Sequence, residues 1–274
     1  MKNITYNLLL VIIIYKEKLK NSDTYKSLIS NYPEMPLFIY DNSPVPQHNQ
    51  DEFKQNVKYV SDTSNMGLSY AYNRAAEYAE QKEYEWILLL DQDTLFCGKI
   101  LEMFQVAIKD NPNVSIFAPI IFSGKLLLSP ARINIFMKLK KPITGLLPLS
   151  EYNVINSGML VNVEAMRSVG GYNEEVWLDY SDYEFLNRMR RGGFLSLYVI
   201  DRICYQSFSD HLQTPQQKLE RYAIFCKCLQ KCEKETIKEN IYFLYQTLKR
   251  MASLFLKTKS LRPIIIFTRN YLVK

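Results

Sequence analysis

Two carboxylates spaced two residues apart, Asp91 and Asp93, follow an apolar run at residues 86–90. Such a run predicts an interior strand of a parallel sheet, because only these strands are covered on both faces. Open α/β sheets bind ligands in the crevice beyond the carboxyl ends of their strands. On an extended chain, side chains two residues apart point the same way, so we expect the two carboxylates to share one volume. Their charges repel, and a divalent cation that holds a phosphate would offset both.

A second acidic group follows later in the chain, at Asp179, Asp182 and Glu184. Asp182 stands at the start of a helical pattern, where a carboxylate can cap free N–H groups. Helix capping is therefore one interpretation of Asp182. In the same way, Asp91 and Asp93 could simply belong to a solvated turn. The other interpretation of Asp182 is chemical, since a carboxylate that faces the first pair would serve as a general base toward a hydroxyl. Trp177, in the preceding loop, is an aromatic side chain of the kind that stacks on sugar rings.

Alternating strands and helices position these residues. We predict strands at residues 6–15, 37–40, 57–60, 114–121 and 195–200, and helices after Gly67, at residues 99–109 and from Asp182. This alternation predicts a mostly parallel sheet with helices on its faces. Residues 123–148 are less regular, and no chemistry is assigned to them.

The last sixty residues differ in composition from the rest. Residues 216–274 hold thirteen Lys and Arg against four Asp and Glu, whereas the whole chain carries a net charge of +6. From about Pro215 the pattern predicts two amphipathic helices and a basic apolar terminus. We therefore expect a catalytic domain at residues 1–214 and a basic amphipathic helical region at residues 215–274. That region is either a helical appendage with a solvated basic face or a surface for anionic membranes.

Several classes of protein are disfavoured by composition. The longest apolar run near the start, residues 8–14, has seven residues, far fewer than the roughly 20 that cross a bilayer. The five cysteines are accompanied by only two histidines, His48 and His211, so a reduced cytosolic setting is simpler than a zinc site. The basic region contains no recognisable nucleic-acid motif, and we expect no nucleic-acid partner. The expected location is the cytoplasm, at most peripheral at the inner face of the cell membrane.

Together these residues resemble the family 2 glycosyltransferases, in particular their bacterial rhamnosyltransferase-like subgroup. The matching motifs occur in the family's order across residues 6–225: Asp41-Asn42-Ser43, Asn65-Met66-Gly67 with Asn73, residues 86–94, Asn156-Ser157-Gly158, residues 170–175, and residues 179–184 with Arg188. The resemblance implies an α/β protein of the GT-A (nucleotide-diphospho-sugar transferase) fold. Its Rossmann-like, mostly parallel sheet would be followed by a C-terminal helical appendage.

The resemblance also implies a role for each motif. Nucleotide binding falls to Asp41, Asn65, Gly67, Asn73 and Asp91. Binding of Mg²⁺ or Mn²⁺ falls to Asp93 with Asp91, and catalysis to Asp182 as the base. Contacts with the donor or acceptor sugar fall to Asn156, Ser157, Gly158, Trp177 and Asp179.

The implied reaction is a metal-dependent, inverting single displacement. Asp182 would deprotonate an acceptor hydroxyl, which attacks the anomeric carbon of a nucleotide-sugar donor such as dTDP-rhamnose or a UDP-hexose. One catalytic carboxylate suffices because the diphosphate is already a good leaving group, whereas glycoside hydrolysis ordinarily uses two. The implied acceptor is a saccharide or a lipid-linked saccharide, in the synthesis of bacterial surface polysaccharides such as capsule or O-antigen.

Three departures from the family pattern keep alternatives open. Tyr72 replaces an arginine, Lys16 replaces an asparagine, and Gln206 stands where many relatives have a histidine. Gln206 could bind the metal through its carbonyl oxygen, or His211 could take its place. A weakened metal site would fit a degenerate scaffold protein. A D-x-D phosphatase is disfavoured, because Thr94 follows Asp93 one residue earlier than the phosphatase motif requires.

Overall fold

The computed structural model describes residues 7–47, 56–133, 139, 141–207 and 214–272. The strands are β1 (Leu8–Ile14), β2 (Leu37–Asp41), β3 (Val57–Ser61), β4 (Trp86–Asp91), β5 (Thr94–Leu95), β6 (Ile116–Ser123), β7 (Leu126–Ser129), β8 (Ala131–Arg132), β9 (Gly145–Pro148), β10 (Tyr152–Asn153), β11 (Leu160–Asn162) and β12 (Ser196–Gln206). The helices are α1 (Asp23–Ser27), α2 (Leu68–Gln81), α3 (Ile100–Asp110), α4 (Val163–Ser168), α5 (Ser181–Arg191), α6 (Pro215–Lys231), α7 (Ile237–Thr258) and α8 (Arg262–Phe267). Short turns of other helix types lie at Leu19–Asn21, Ile29–Asn31 and Thr268–Leu272.

The main sheet follows the order β3-β2-β1-β4-β11-β6-β12-β5, with β7 paired to β6 and β9 paired to β12. The first four strands are parallel, and so are β6 and β12. The short strand β11 runs antiparallel between β4 and β6. The predicted α/β fold with a mostly parallel sheet is therefore confirmed. The antiparallel insertion joins two blocks of parallel strands.

The two central strands are buried on both faces, as their apolar runs predicted. All residues of β1 and the first five of β4 are buried. One core cluster packs under α2, α4 and α5, and a second under α1 and α3. The inner face of α2 consists largely of alanine, which lets this helix approach the sheet closely. The sheet is thus a rigid layer whose strand tips hold a fixed geometry.

A third core cluster joins the C-terminal helices to the rest of the molecule. Val176 and Tyr183 pack with apolar side chains of α6, α7 and α8. Thr214 and Thr236 begin α6 and α7 with capping boxes, in which the threonine and the residue three positions later bond each other's backbone N–H groups. The boundary at residue 214 stays a prediction. The described part of residues 215–274 nevertheless shares a core with α5 and the loop before it. Within the described ranges, no helix combines the length and apolar character needed to cross a membrane.

Candidate active site

A cleft of about 900 Å³ opens where the tips of β1, β4 and β12 meet the start of α5. The residues predicted from sequence to form a site and found in its lining are Asn65, Gly67, Asp91, Asp93, Asn156, Trp177, Asp179, Asp182 and Gln206. They come from positions more than 140 residues apart in the chain, yet they surround one volume. The cleft is where open α/β sheets place their ligands.

At the tip of β4, the expectation of one extended strand is wrong. The strand ends at Asp91, and the chain turns through Gln92 and Asp93 before β5. The two carboxylates nevertheless meet, because β5 pairs with β12 and places Gln206 opposite Thr94. The Gln206 side-chain amide donates to Asp91 Oδ2 at 3.1 Å and to Asp93 Oδ1 at 3.0 Å. A single amide thus bridges both acids.

The electrostatics of this pair are those of charges held out of water. Burial, together with the neighbouring Asp93 charge, raises the pKa of Asp91 to about 7. Burial also raises the pKa of Asp93, against the effect of the Gln206 hydrogen bond. The buried Tyr72 hydroxyl donates to Asp91 Oδ1 at 3.3 Å, and its own pKa lies well above the usual value, chiefly through burial. Tyr72, which replaces the family's arginine, is therefore a neutral donor to the acidic pair.

The chemistry of these groups fits a hard divalent cation. Carboxylate oxygens are its preferred ligands, and Mg²⁺ commonly uses one or two of them together with water and substrate phosphates. A cation would offset the negative charge of both carboxylates, which burial disfavours and which, at Asp91, the Asp93 charge disfavours as well. A half-turn of the Gln206 amide would present its oxygen to the same point. Among the described residues no group of three or more His, Cys, Asp or Glu side chains could hold a metal, and His211 lies outside those residues. The protein supplies two carboxylates, Asp91 and Asp93.

Asp182 lies in the first turn of α5. Tyr180, in the left-handed region with φ of 65°, is the cap residue, and Asp182 Oδ1 accepts from the Tyr183 N–H at 2.7 Å. Burial, together with the nearby Asp179 charge, raises the pKa of Asp182 to about 6. The carboxylate therefore does not occupy the capping position. Its raised pKa suits a group that accepts a proton near neutral pH.

A hydrogen-bond chain fixes the start of α5 from the opposite side. The Tyr172 hydroxyl donates to Asn156 Oδ1 at 2.7 Å, and Asn156 Nδ2 donates to Ser181 Oγ at 3.0 Å. All three side chains are buried. Asn156 therefore lines the cleft and also positions the residue before Asp182.

Trp177 is tied to the glycine turn that precedes α2. Its indole N–H donates to the Asn65 carbonyl at 2.7 Å, and its own carbonyl accepts from the Leu68 N–H at 2.8 Å. Gly67 has φ of 97°, and a Cβ there would lie 2.4 Å from both Trp177 Cδ1 and the Trp177 carbonyl oxygen. Only glycine fits this contact. The turn and the loop carrying the second acidic group therefore form one wall.

Asp41 does not line the cleft. It is fully buried, and its carboxylate accepts from the backbone N–H groups of Ser43 and Gln47 at 2.9 Å and from the Tyr59 hydroxyl at 2.5 Å. Its neighbour Asn42 is the residue that faces the cleft. A nucleotide contact by Asp41 stays a prediction, and its observed partners give it the role of organising the loop after β2.

Three further predicted residues also lie outside the cleft lining. The Asn73 amide exchanges two hydrogen bonds with the Tyr172 backbone, at 2.8 and 2.9 Å. Ser157 shares a hydrogen bond of 2.7 Å with Thr94. Gly158 has φ of 78°, and a Cβ there would meet the Pro119 ring at 2.8 Å. Direct contacts of these residues with nucleotide or sugar stay predictions. In the structure they hold the loops that carry the cleft residues.

Sequence reasoning missed the contribution of the C-terminal helices. Arg221 and Ile224 of α6 and Arg250 of α7 line the same cleft. Arg221 Nη2 donates to Asp179 Oδ1 at 2.7 Å. The signal for Arg250 was its helical phase, because it lies seven residues after the buried Phe243 and four before the buried Leu254. Arginine is rarely found on the buried face of a helix unless it has a partner, so its position there indicates a binding site.

The chain matches the model of "Glycosyl transferase family 2" over residues 9–170, more than half of its length. It therefore belongs to the family 2 glycosyltransferases, and its α/β architecture is the GT-A fold. Asp182 and Gln206 lie beyond the matched residues.

Individual relatives refine this placement. The chain is 26% identical over 207 residues to the dTDP-rhamnosyl transferase RfbF of Shigella flexneri, which covers 71% of this chain and 67% of that protein. A crystal structure of S. aureus TarS residues 1–349 has a TM-score of 0.53 at 12% identity, covering 96% of this chain and 88% of that one. A structure of GalNAc-T7 with UDP, GalNAc and Mn²⁺ has a TM-score of 0.57 at 13% identity, covering 82% of this chain. The chain spans about half of that last protein, 48%.

Proposed function

We propose that the protein transfers a sugar with inversion from a nucleotide-diphosphate donor to a hydroxyl of a saccharide or lipid-linked saccharide. The observation that carries this proposal is the pairing of two different acidic sites in one cleft. Asp91 and Asp93 form a like-charged pair suited to a cation, whereas Asp182 is a single carboxylate with a raised pKa. A displacement on a nucleotide sugar needs these two functions.

In this proposal each residue has one task. Asp91 and Asp93 would hold Mg²⁺ or Mn²⁺, which when bound offsets charge on a departing diphosphate. Asp182 would take the proton of the acceptor hydroxyl and keep it at its carboxylate oxygen. Asn65, Gly67 and Trp177 would form the wall against the nucleotide and sugar. Tyr72 would hold Asp91 in orientation through its hydroxyl.

For the donor we propose dTDP-rhamnose, with a UDP-hexose as the alternative. The name of the relative RfbF supports the rhamnosyl donor, and the UDP in the GalNAc-T7 structure supports the alternative. For the pathway we propose bacterial surface polysaccharide synthesis, such as capsule or O-antigen. The acidic pair and the base are compatible with either donor, because they act on the diphosphate and the acceptor hydroxyl.

A thermal-shift panel tests the donor proposal. The nucleotides dTDP, UDP and GDP and their sugars would be added with and without Mn²⁺. A ligand at about 100 times its Kd raises the free energy of unfolding by roughly 2.7 kcal/mol. We expect the largest shift with dTDP-rhamnose and Mn²⁺ together. A donor that stabilises equally without metal would contradict the roles of Asp91 and Asp93.

A degenerate scaffold is the second candidate function. It is favoured by one observation, the occupation of both carboxylates by the Gln206 amide. Binding of a nucleotide sugar without turnover, across donors that include dTDP-rhamnose and saccharide acceptors, would support it. The phosphatase alternative loses its basis, because the chain belongs to the family 2 glycosyltransferases.

We also propose that α7 docks on an anionic membrane at the cytoplasmic face. Five apolar side chains of this helix are at least 37% exposed: Ile237, Ile241, Leu244, Leu248 and Phe255. Their spacings of four, three, four and seven residues place them on one face of a helix. The exposed Lys238 and Lys249 border this face. An apolar stripe flanked by lysines is complementary to an anionic lipid surface.

Flotation with liposomes tests this docking surface. We expect the protein to float with vesicles containing phosphatidylglycerol and to remain behind with purely zwitterionic vesicles. Ile241→Glu places a charge in the centre of the stripe and should abolish flotation, while Val106→Glu, the same kind of change at an exposed apolar position of α3, serves as the matched control. Equal flotation of wild type and Ile241→Glu, or dimerisation through α7 without lipid binding, would contradict the proposal.

A further inference from the structure

The lining of the cleft contains charged groups of both signs. We call Asp91, Asp93 and Asp182 its acidic wall, and Arg221 and Arg250 from the C-terminal helices its basic wall. The acidic wall has the tasks proposed above. The basic wall has none, although a guanidinium directed into a cleft is a costly group to keep without a partner.

Arg250 is held in place but not neutralised. Its guanidinium lies over the buried ring of Phe225, with 4.4 Å between Cζ and the ring centroid. Stacking on a ring occupies the face of a guanidinium and leaves its N–H edge free to bond in the plane. Among the described residues, the ion pairs do not include Arg250. Its positive charge is therefore available to a ligand in the cleft.

Arg221 supports the same corner of the cleft. One of its terminal nitrogens donates to Asp179. The other, Nη1, is buried and has no hydrogen-bond partner among the described residues. A buried N–H group without a partner is ordinarily avoided in proteins, so an anion beside Arg221 would complete its hydrogen bonding.

We infer that Arg250, assisted by Arg221, forms a phosphate-binding subsite in the cleft. Planar guanidinium groups bind phosphate oxygens with paired, charge-assisted hydrogen bonds. The phosphate belongs either to the diphosphate of the donor or to an acceptor that carries a phosphate. This inference rests on the proposed function for the identity of the substrates, but the subsite itself rests on the two arginines.

Calorimetric titration of wild type and variants with three probes tests the subsite. The probes are inorganic pyrophosphate, dTDP and farnesyl diphosphate, titrated in EDTA so that no divalent cation contributes. Because charged hydrogen bonds are worth about 1.5–3 kcal/mol, Arg250→Ala should bind pyrophosphate about tenfold or more weakly. Lys257→Ala is the matched control, since it removes the same charge from an exposed position of the same helix and should leave binding unchanged.

A second variant separates loss of charge from loss of packing. Arg250→Met keeps a long side chain over the Phe225 ring and removes the charge, so it should fold as wild type does and bind as weakly as Arg250→Ala. Arg250→Lys should recover part of the affinity. Wild-type affinity in Arg250→Met, an equal loss in Lys257→Ala, or no binding of any probe by the wild type would overturn the subsite.

The probes also identify the source of the phosphate. Loss of dTDP affinity assigns the subsite to the donor, whereas loss of farnesyl diphosphate affinity with dTDP binding intact assigns it to a lipid-linked acceptor. Failure of the proposed function would give a different result. The wild type would then transfer no sugar, yet it would still bind pyrophosphate, and Arg250→Met would still bind it more weakly. Conversely, if Arg250→Met transfers sugar and binds pyrophosphate as the wild type does, only the phosphate-binding subsite is disproved and the proposed function stands.

Discussion

The two acidic sites of the cleft differ in what holds them. Asp91 and Asp93 stand on the tip of a buried strand, and their oxygens share the amide of Gln206. Asp182 stands on a helix, beside a loop that is fixed by Gly67 and Trp177. The first site concentrates two charges at one point, whereas the second isolates one carboxylate. Concentrated charge suits a cation, and an isolated carboxylate of raised pKa suits a proton.

The same chemical group is thus specialised by its neighbours. Burial raises the pKa of Asp91 and Asp182 alike. A second carboxylate adjoins Asp91, so a cation removes the conflict there. At Asp182 the acid whose charge raises the pKa is Asp179, and that charge is paired with Arg221. Substitutions at the two sites should therefore have separable effects.

Asp182→Asn should have the largest effect. Removing a general base lowers the rate by about 10²–10⁴-fold, because the acceptor hydroxyl then loses its proton acceptor. The measurement is kcat for sugar transfer, with donor affinity followed by thermal shift. Donor affinity should remain close to that of wild type. The matched control is Asp201→Asn, the same change at an exposed position of β12, and comparable rates for both variants would refute the role of Asp182.

Asp93→Asn should act on the other site. If dTDP and Mn²⁺ bind as proposed, dTDP at about 100 times its Kd should stabilise the wild type by roughly 2.7 kcal/mol, and the metal-dependent part should disappear in the variant. The reason is the loss of one of two carboxylate ligands. Asp23→Asn removes a nearby charge that also raises the pKa of Asp93, yet it should keep the metal-dependent stabilisation. Stabilisation by Mn²⁺ that survives in Asp93→Asn would place the cation elsewhere.

Gly67→Ala should disturb the wall beside Asp182 and spare the acidic pair. A side chain at a positive φ costs about 1–3 kcal/mol, and here its Cβ would also meet Trp177. Urea unfolding should show this loss, together with a fall in kcat. For Gly98→Ala, where a Cβ meets nothing within 4 Å, the change should stay within about 0.5 kcal/mol. If Gly67→Ala removes the Mn²⁺ effect as strongly as Asp93→Asn does, the two sites are not independent.

The pH dependence should follow Asp182. Its pKa of about 6 is raised above the ordinary value, so the base is deprotonated above that pH and protonated below it. At saturating Mn²⁺, kcat/KM should be constant above pH 6 and fall about tenfold per unit below it. The acids that act on this carboxylate are Asp179 and Asp91. The other titratable groups around it are the Cys232 thiol and the phenols of Tyr72, Tyr172, Tyr180 and Tyr242, whose pKa values burial raises, so that they stay neutral in this range. A flat profile from pH 5 to 7 would contradict the assignment.

Linkage gives the same group a smaller effect on stability. Because the folded state binds the Asp182 proton more tightly than the unfolded state, its contribution to the free energy of unfolding falls as pH rises from about 4 through 6. Asp182→Asn should therefore gain stability relative to wild type across that window. Equal pH dependence of unfolding for both proteins would show that the pKa of Asp182 is not raised.

Much of the site could be predicted from the sequence, because it depends on local sequence patterns. The apolar run before Asp91 predicted the buried strand, and the position of strand tips in α/β sheets predicted the cleft. Asp182 was predicted at the start of a helix, and the helix begins one residue earlier. These predictions succeed because burial, periodicity and chain termination are encoded within a few neighbouring residues.

What could not be read depended on contacts between distant segments. The sequence showed Asp41 as an acid after a strand, but only packing could bury it against Tyr59 and the loop that follows. It showed Asn73 in the order of the family motif, whereas its two bonds to the Tyr172 backbone depend on how α2 meets a loop 99 residues away. An Asp or Asn side chain can contact a ligand directly or can support the loop that does so. The motif alone did not distinguish these two roles.

By itself, then, the sequence determined the order of strands and helices and the acids at their ends, because these follow from local periodicity. The tertiary structure decided three matters. It inserted β11 antiparallel between two parallel blocks, it brought Gln206 between Asp91 and Asp93, and it turned the C-terminal helices into a basic wall of the cleft. The physical reason is that Arg250 faces the cleft only because α7 packs in a core that it shares with α5. Such a core forms only when segments far apart in the chain pack together.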